Sequence, residues 1–119
     1  MINISHNGTV MVKRGDTFNV PLFINIGTEE EPMRLDFTNK PWLKVHFNIE
    51  SAGKDGPVLF TKTFTNLDVN EYGDIMVLLT SDETKKLRSG VYEYTIYVTD
   101  DSDVEFNYTV TPNKMFYLF

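Results

Sequence analysis

Along much of this chain apolar and polar residues alternate with a period of two, the pattern of β-strands that bury one face. Within residues 17–26 the positions Phe18, Val20, Leu22, Ile24 and Ile26 are apolar, while Thr17, Asn19, Pro21 and Asn25 fall between them. Pro21 lies on the opposite face and lacks an amide hydrogen, which places that strand at a sheet edge or at a bulge. The same period returns at Leu43, Val45, Phe47 and Ile49, at Tyr92, Tyr94, Ile96 and Val98, and at Val104, Phe106, Tyr108 and Val110. Less regular apolar runs at 2–5, 9–13, 33–37, 58–64, 75–80 and 114–119 predict further strands. Turn chemistry separates these runs at Asn7-Gly8, Arg14-Gly15-Asp16, 53–57, Tyr72-Gly73-Asp74 and 100–103.

Only one segment reads as helical, a turn or two near residues 82–88. Ser81 or Asp82 can cap 83–87, acidic side chains open the segment, and Lys85, Lys86 and Arg88 close it. Gly90 is placed to stop it in the left-handed conformation. Many short strands spaced about ten residues apart, with one helical turn between two of them, predict an all-β fold. The expected form is an antiparallel β-sandwich, Ig-like or jelly-roll-like. Shared alternation places Phe18, Val20, Leu22, Val45, Phe47, Tyr94, Ile96, Phe106 and Tyr108 in its core, and Lys44, His46, Glu93 and Asn107 outside it.

A length of 119 residues suits one domain, 1–119. With 41% hydrophobic residues, the chain can bury enough surface to offset the entropy of ordering its backbone. Eleven basic against 17 acidic residues give a net charge of −6, which repels a phosphate backbone and argues against nucleic acid as a partner. The absence of cysteine excludes disulfides, a thiolate nucleophile and cysteine-held zinc. No run approaches the roughly 20 apolar residues of a membrane-spanning helix. The first ten residues, MINISHNGTV, lack the basic and apolar regions of a signal peptide. The expectation is a chain made in a cytoplasm, with no membrane partner.

Candidate catalytic chemistry is sparse. Nucleophilic catalysis needs a base beside the nucleophile, and of the two histidines His46 falls on the polar face of a strand while His6 adjoins an Asn-Gly turn. No Gly-x-Ser-x-Gly elbow, phosphate loop or His-Glu-x-x-His helix is present. A glycosidase needs paired carboxylates in a cleft, whereas the acids here crowd turns such as Glu29-Glu30-Glu31 and Asp100, Asp101 and Asp103. That last group lacks the glycine and distal glutamate of a calcium loop. No catalytic residue, cofactor or metal is therefore expected. Arg14-Gly15-Asp16 spells an adhesion tripeptide but reads as a turn between strands. Trp42 reads as a core or rim residue entering a strand, with sugar stacking as the alternative. Met115, Phe116, Tyr117, Leu118 and Phe119 are apolar at every position, so a strand there needs cover on both sides. Those five and Trp42 are the candidate partner-binding residues, the rival arrangement being a tail that crosses its own core.

Two stretches resemble a known group of proteins. Lys13-Arg14-Gly15-Asp16-Thr17-Phe18 precedes an alternating strand, and Asp82, Thr84, Leu87, Gly90, Tyr92 and Tyr94 form a D-x-T-x-x-L-x-x-G-x-Y-x-Y element. In this order they resemble phage and prophage virion proteins, notably the N-terminal domain of baseplate upper proteins and related Ig-like modules of tails and head fibres. The resemblance implies a non-enzymatic assembly protein of the tail, baseplate or head surface. Its implied partners are other virion proteins and copies of itself, and its implied location is the virion. The alternative function is a carbohydrate-binding adhesion module that takes a host surface glycan. A small glycosidase-like enzyme or inhibitor domain is the remaining rival.

Overall fold

A computed structural model describes residues 2–4, 8–22, 24, 28, 30–31, 33, 35–53 and 56–119, with the backbone alone at 2–4, 104–106 and 108–113. The described residues are all-β apart from two short helical turns. Its elements are β1 (Ile2–Ile4), β2 (Val10–Val12), β3 (Phe18–Leu22), β4 (Leu43–Ser51), β5 (Val58–Phe64), a 3-10 turn (Asn66–Asp68), β6 (Ile75–Leu79), α1 (Ser81–Lys85), β7 (Gly90–Asp100) and β8 (Asp103–Leu118).

The described strands form a six-stranded sheet in the order β1-β2-β8-β7-β4-β5 and a two-stranded sheet of β3 and β6. Alternation does what the sequence demands: along β4, Leu43, Val45, Phe47 and Ile49 are buried while the residues between them are half-buried. Register then carries each face across the sheet, with Phe47 opposite Ile96 and Val45 opposite Val98. One cluster of buried side chains joins Phe18, Val77 and Leu79 of the small sheet to Val12, Val45, Phe47 and Phe116 of the large one. Within it the Tyr94 ring stacks on Phe47 with centroids 5.6 Å apart, and Phe116 meets both rings edge-on.

Of the expected core, Phe18, Val45, Phe47, Tyr94 and Ile96 are buried, and Val20 and Leu22 pack against the cluster half-buried. The side chains of Phe106 and Tyr108 lie outside the described residues. Lys44, His46 and Glu93 are half-buried and Asn107 is exposed.

Several expectations change. The large sheet is mixed, because β2 runs parallel to β8 with Met11 beside Tyr117. Nearly the whole chain separates those two strands, so no tight hairpin imposes an antiparallel arrangement on them. The strand expected over 17–26 stops at Leu22, and Ile24 is buried from outside any strand. Ile26 lies outside the described residues. The run 33–37 forms no strand at its described positions. Leu35 donates to the Ile24 carbonyl and Phe37 to that of Gly73, and Phe37 is fully buried. The runs 104–110 and 114–119 merge into the single strand β8, which passes Pro112 by shifting register opposite Tyr94, Ile96 and Tyr97.

The helical turn is capped one residue earlier than expected. The Thr80 hydroxyl accepts from the Glu83 amide, and the Glu83 carboxylate accepts from the Thr80 amide. Gly90 does not stop the helix in the left-handed region; it is the first residue of β7. The chain reverses over 86–89, where the Tyr92 hydroxyl donates to the Arg88 carbonyl at 2.6 Å.

Candidate functional site

β7 is 11 residues long, spanning roughly 33 Å at about 3.3 Å per step. At its Gly90 end it pairs with Leu118, and the 13–16 turn and α1 close over that end. At its Asp100 end it pairs with Leu43, beside the 36–42 segment and the 66–74 turns.

The Gly90 end is built around the Arg14-Gly15-Asp16 turn. Gly15 sits at φ +94, a conformation that side chains strain to adopt, and this lets its amide point at α1. There it donates to the Thr84 hydroxyl at 3.0 Å. Thr84 is buried, and its one hydroxyl hydrogen is shared between the carbonyls of Asp16 and Ser81. Ser81 donates to the Gly15 carbonyl at 2.6 Å. The Arg14 guanidinium donates to the carbonyls of Lys85 at 2.8 Å and Leu87 at 2.9 Å, where unpaired acceptors of the helix end carry partial negative charge. The tripeptide is thus a clasp on α1 rather than a displayed ligand. The 13–16 turn and the 81–88 segment are thus in direct contact.

Lys62 extends this end. It points inward from the edge strand β5, donating to the Glu83 carboxylate at 2.6 Å and the Leu78 carbonyl at 2.7 Å. An inward lysine on an edge strand discourages a further strand from adding there. Burial alone raises the Glu83 carboxyl, but Lys62 and the Thr80 amide outweigh that and hold it below its ordinary value of 4.5.

The apolar tail divides between two faces. Phe116 and Leu118 are buried in the core; Met115 and Tyr117 lie half-buried on the outer face of the sheet, and Phe119 is exposed. β8 pairs with β2 on one side and β7 on the other, so its backbone is covered at both edges over this stretch. Met11, Tyr117 and Val91 make a row on the outer face, with Met11 40% and Val91 45% exposed. Phe116 and Leu118 are thereby core residues, leaving the outer row and Phe119 as the tail's accessible surface.

The Asp100 end holds Trp42, which stands on the rim 42% exposed, its carbonyl accepting from the Asp101 amide. Tyr97, on the outer face, is about four residue steps or roughly 13 Å further along and is stacked on His46 with centroids 4.6 Å apart. Lys44 and Thr99 occupy the row between, so the two aromatics form no continuous platform. His46 is held by Thr99 at 2.8 Å and Thr63 at 3.3 Å. Burial, then the neighbouring Lys44, push its pKa down, with Asp101 opposing. Asp100 accepts from the Ser102 amide and Asp101 pairs with Lys44 at 2.7 Å, so these carboxylates shape the hairpin tip. Among the described residues no three histidine or acidic side chains converge as a metal site requires. His6 lies outside them.

Sequence reasoning missed the most exposed apolar side chains among the described residues. Leu67 is 88% exposed in the 3-10 turn and Tyr72 is 66% exposed in the next turn. Their signal was present: each is a large apolar residue flanked by Asn and Asp or Glu and Gly, where no alternation explains it. An apolar cavity of about 190 Å³ lies between β3 and the large sheet, lined among the described residues by Phe18, Val20, Pro21, Phe47, Tyr94 and Ile96 and others. It is smaller than the roughly 300 Å³ at which small-molecule pockets begin.

Compared with known proteins, the chain matches no family model and no curated sequence.

Proposed function

We propose that this chain is a non-enzymatic structural component of a bacteriophage virion, in the tail, the baseplate or the head surface, acting through contacts with other virion proteins and with its own copies. The observation that carries the reading is the clasp: the two sequence elements that resemble virion proteins pack on each other through Arg14, Gly15 and Thr84. A second support is the placement of large exposed apolar residues in turns at the molecule's ends, where a partner would cover them.

The finer fold reading is an Ig-like sandwich rather than a jelly roll. In the order β8-β7-β4-β5 opposite β3 and β6, the strands follow the G-F-C-C′ and B-E pattern of Ig domains. Tyr92 supports it further. Near the start of the strand in the F position, its hydroxyl reaches back to the backbone four residues upstream, as the tyrosine corner does. On this reading Tyr94 fills the core where secreted Ig domains place a disulfide.

The exposure of Trp42 favours one second reading, a glycan-binding surface on the virion. As the only tryptophan, Trp42 reports directly: a saturable fluorescence change with host surface glycans would favour it. The main reading is tested by a mass-spectrometric inventory of purified virions from a lysogen or lysate expressing the gene. The chain is expected at fixed stoichiometry with other tail or head proteins. Its absence from intact particles while present in the lysate would overturn the reading.

A further inference from the structure

The two ends of β7 carry opposite charge. Where residues 13–16 meet 81–91, Lys13, Arg14, Lys85, Lys86 and Arg88 stand against Asp16, Asp82 and Glu83, so an acidic protein has one basic end. Lys62, paired with Glu83, adds to the basic side, while Glu50 and Glu93, opposite each other three residues into β7, offset part of it. At the other end the exposed or half-buried acids Asp36, Asp68, Glu71, Asp100, Asp101 and Asp103 outnumber the lysines Lys40 and Lys44 among the described residues. Each end also presents large apolar side chains: Val91 and Phe119 at the basic end, Leu67, Tyr72 and Trp42 at the acidic one.

We propose that copies of this chain stack head to tail, the basic 84–91 end of one seated on the acidic 66–74 and 100–103 end of the next. This rests on the assembly reading above and names its partner and geometry. Charge complementarity selects the pairing. Two basic ends repel, as do two acidic ends, so a two-fold contact through either end is disfavoured, while unlike ends attract. The apolar residues supply contact area, with Leu67 and Tyr72 as anchors on one side and Val91 on the other. A contact between unlike surfaces is heterologous. It closes into a ring when the rotation between copies allows and otherwise grows as a filament, both of which are repeating virion geometries.

The test uses charge exchange in the full chain. One variant carries Lys86→Glu and Arg88→Glu, side chains outside the clasp, whose Arg88 carbonyl still accepts from Tyr92. The other carries Glu71→Lys and Asp101→Lys. Circular dichroism and melting check that each folds, and sedimentation velocity reads assembly at about 0.1 M and about 1 M salt, between which the screening length falls from about 10 Å to about 3 Å. The wild type is expected to associate, more weakly in high salt. Each variant alone is expected to lose at least roughly tenfold in association. Mixing the two is expected to restore it, because the acidified end of one meets the basified end of the other.

Failure of folded variants to rescue each other, or a wild type that stays monomeric at millimolar concentration in both salts, would overturn the stacking. Such a result leaves a virion component that docks only on other proteins, and the particle inventory decides that separately. Should Lys86→Glu with Arg88→Glu assemble as well as wild type, the basic end is not the contact and the proposal likewise falls. Leu67→Ser is the variant for the apolar share. It is expected to weaken association at both salt concentrations alike, since its contribution is not screened.

Discussion

The Thr84 hydroxyl accepts from the Gly15 amide at 3.0 Å across 69 residues of sequence, and it is buried where it does so. Replacing it with valine keeps the shape and removes both the acceptor for Gly15 and the donor for Asp16. A buried amide left without a partner costs about 1–3 kcal/mol. Thr84→Val is expected to lower Tm by roughly 4–12 °C in differential scanning calorimetry, whereas Thr84→Ser, which keeps the hydroxyl, is expected to lose less than half of that. A larger loss in Thr84→Ser than in Thr84→Val would mean that packing of the methyl group, not the hydrogen bond, holds the clasp.

Glu83 links acid stability to the same end of the molecule. Its carboxyl is held below 4.5 by Lys62 and Thr80 against the opposing effect of burial. A carboxyl depressed on folding contributes stability that is present above its unfolded pKa and is lost as pH falls through the folded one. Glu83→Gln is therefore expected to cost about 1 kcal/mol at neutral pH, with the gap between the two proteins closing below about pH 4. Thermal melts from pH 3 to 8 check it, and a gap that stays constant across that range would show that the charge plays no part.

His46 titrates in the opposite sense from a histidine that gains an acidic partner. Burial and Lys44 disfavour its charged form, so the folded pKa lies below 6.5. Stability from the neutral ring is full above the unfolded pKa and falls as pH drops through the folded one. Two-dimensional NMR of the two histidines is expected to give one midpoint below that of a model peptide, removed in His46→Gln. A midpoint at or above 6.5 would contradict the packed, Tyr97-stacked ring seen here.

How much was legible depends on the range of the interaction. β4 and β7 were readable from alternation because one face of each is buried over most of its length, and a one-residue slip would turn that face outward. The edge strand β5 was readable as a strand, but Lys62 on its inward face was not, since its partner Glu83 lies 21 residues away in another element. Ile24 and Phe37 fell inside the expected strands 17–26 and 33–37 for a different reason: irregular backbone buries them there, and an apolar run does not tell irregular chain from strand. The cap shifted from Ser81 or Asp82 to Thr80 because all three residue types accept amide hydrogens. Only the spacing Thr80-x-x-Glu83 distinguishes the true one. The Arg14 turn looked ordinary in sequence, and its clasp on α1 depends on the fold bringing together residues more than 70 positions apart. The exposed Leu67 shows that the interaction surface was the least readable feature, because nothing local requires an apolar residue in a turn.

The tail makes the sharpest distinction between a core element and a contact strand. Phe116 is 1% and Leu118 2% exposed, and β8 is hydrogen-bonded on both sides where they sit. Phe116→Ala leaves a cavity against Phe47 and Tyr94 and is expected to cost about 3–5 kcal/mol, a large part of the roughly 5–15 kcal/mol that holds a small domain together. On the opposite face of the same strand, Tyr117→Ser touches the half-buried row beside Met11 and Val91 and is expected to change stability by less than about 1 kcal/mol. Urea titration followed by Trp42 fluorescence measures both. Deletion of residues 114–119 removes the partner of β2 as well as these core side chains, so it is expected to yield an unfolded chain rather than a folded monomer. A truncated protein that keeps its native circular dichroism and cooperative melting while losing association would reverse the assignment and make the tail a contact strand.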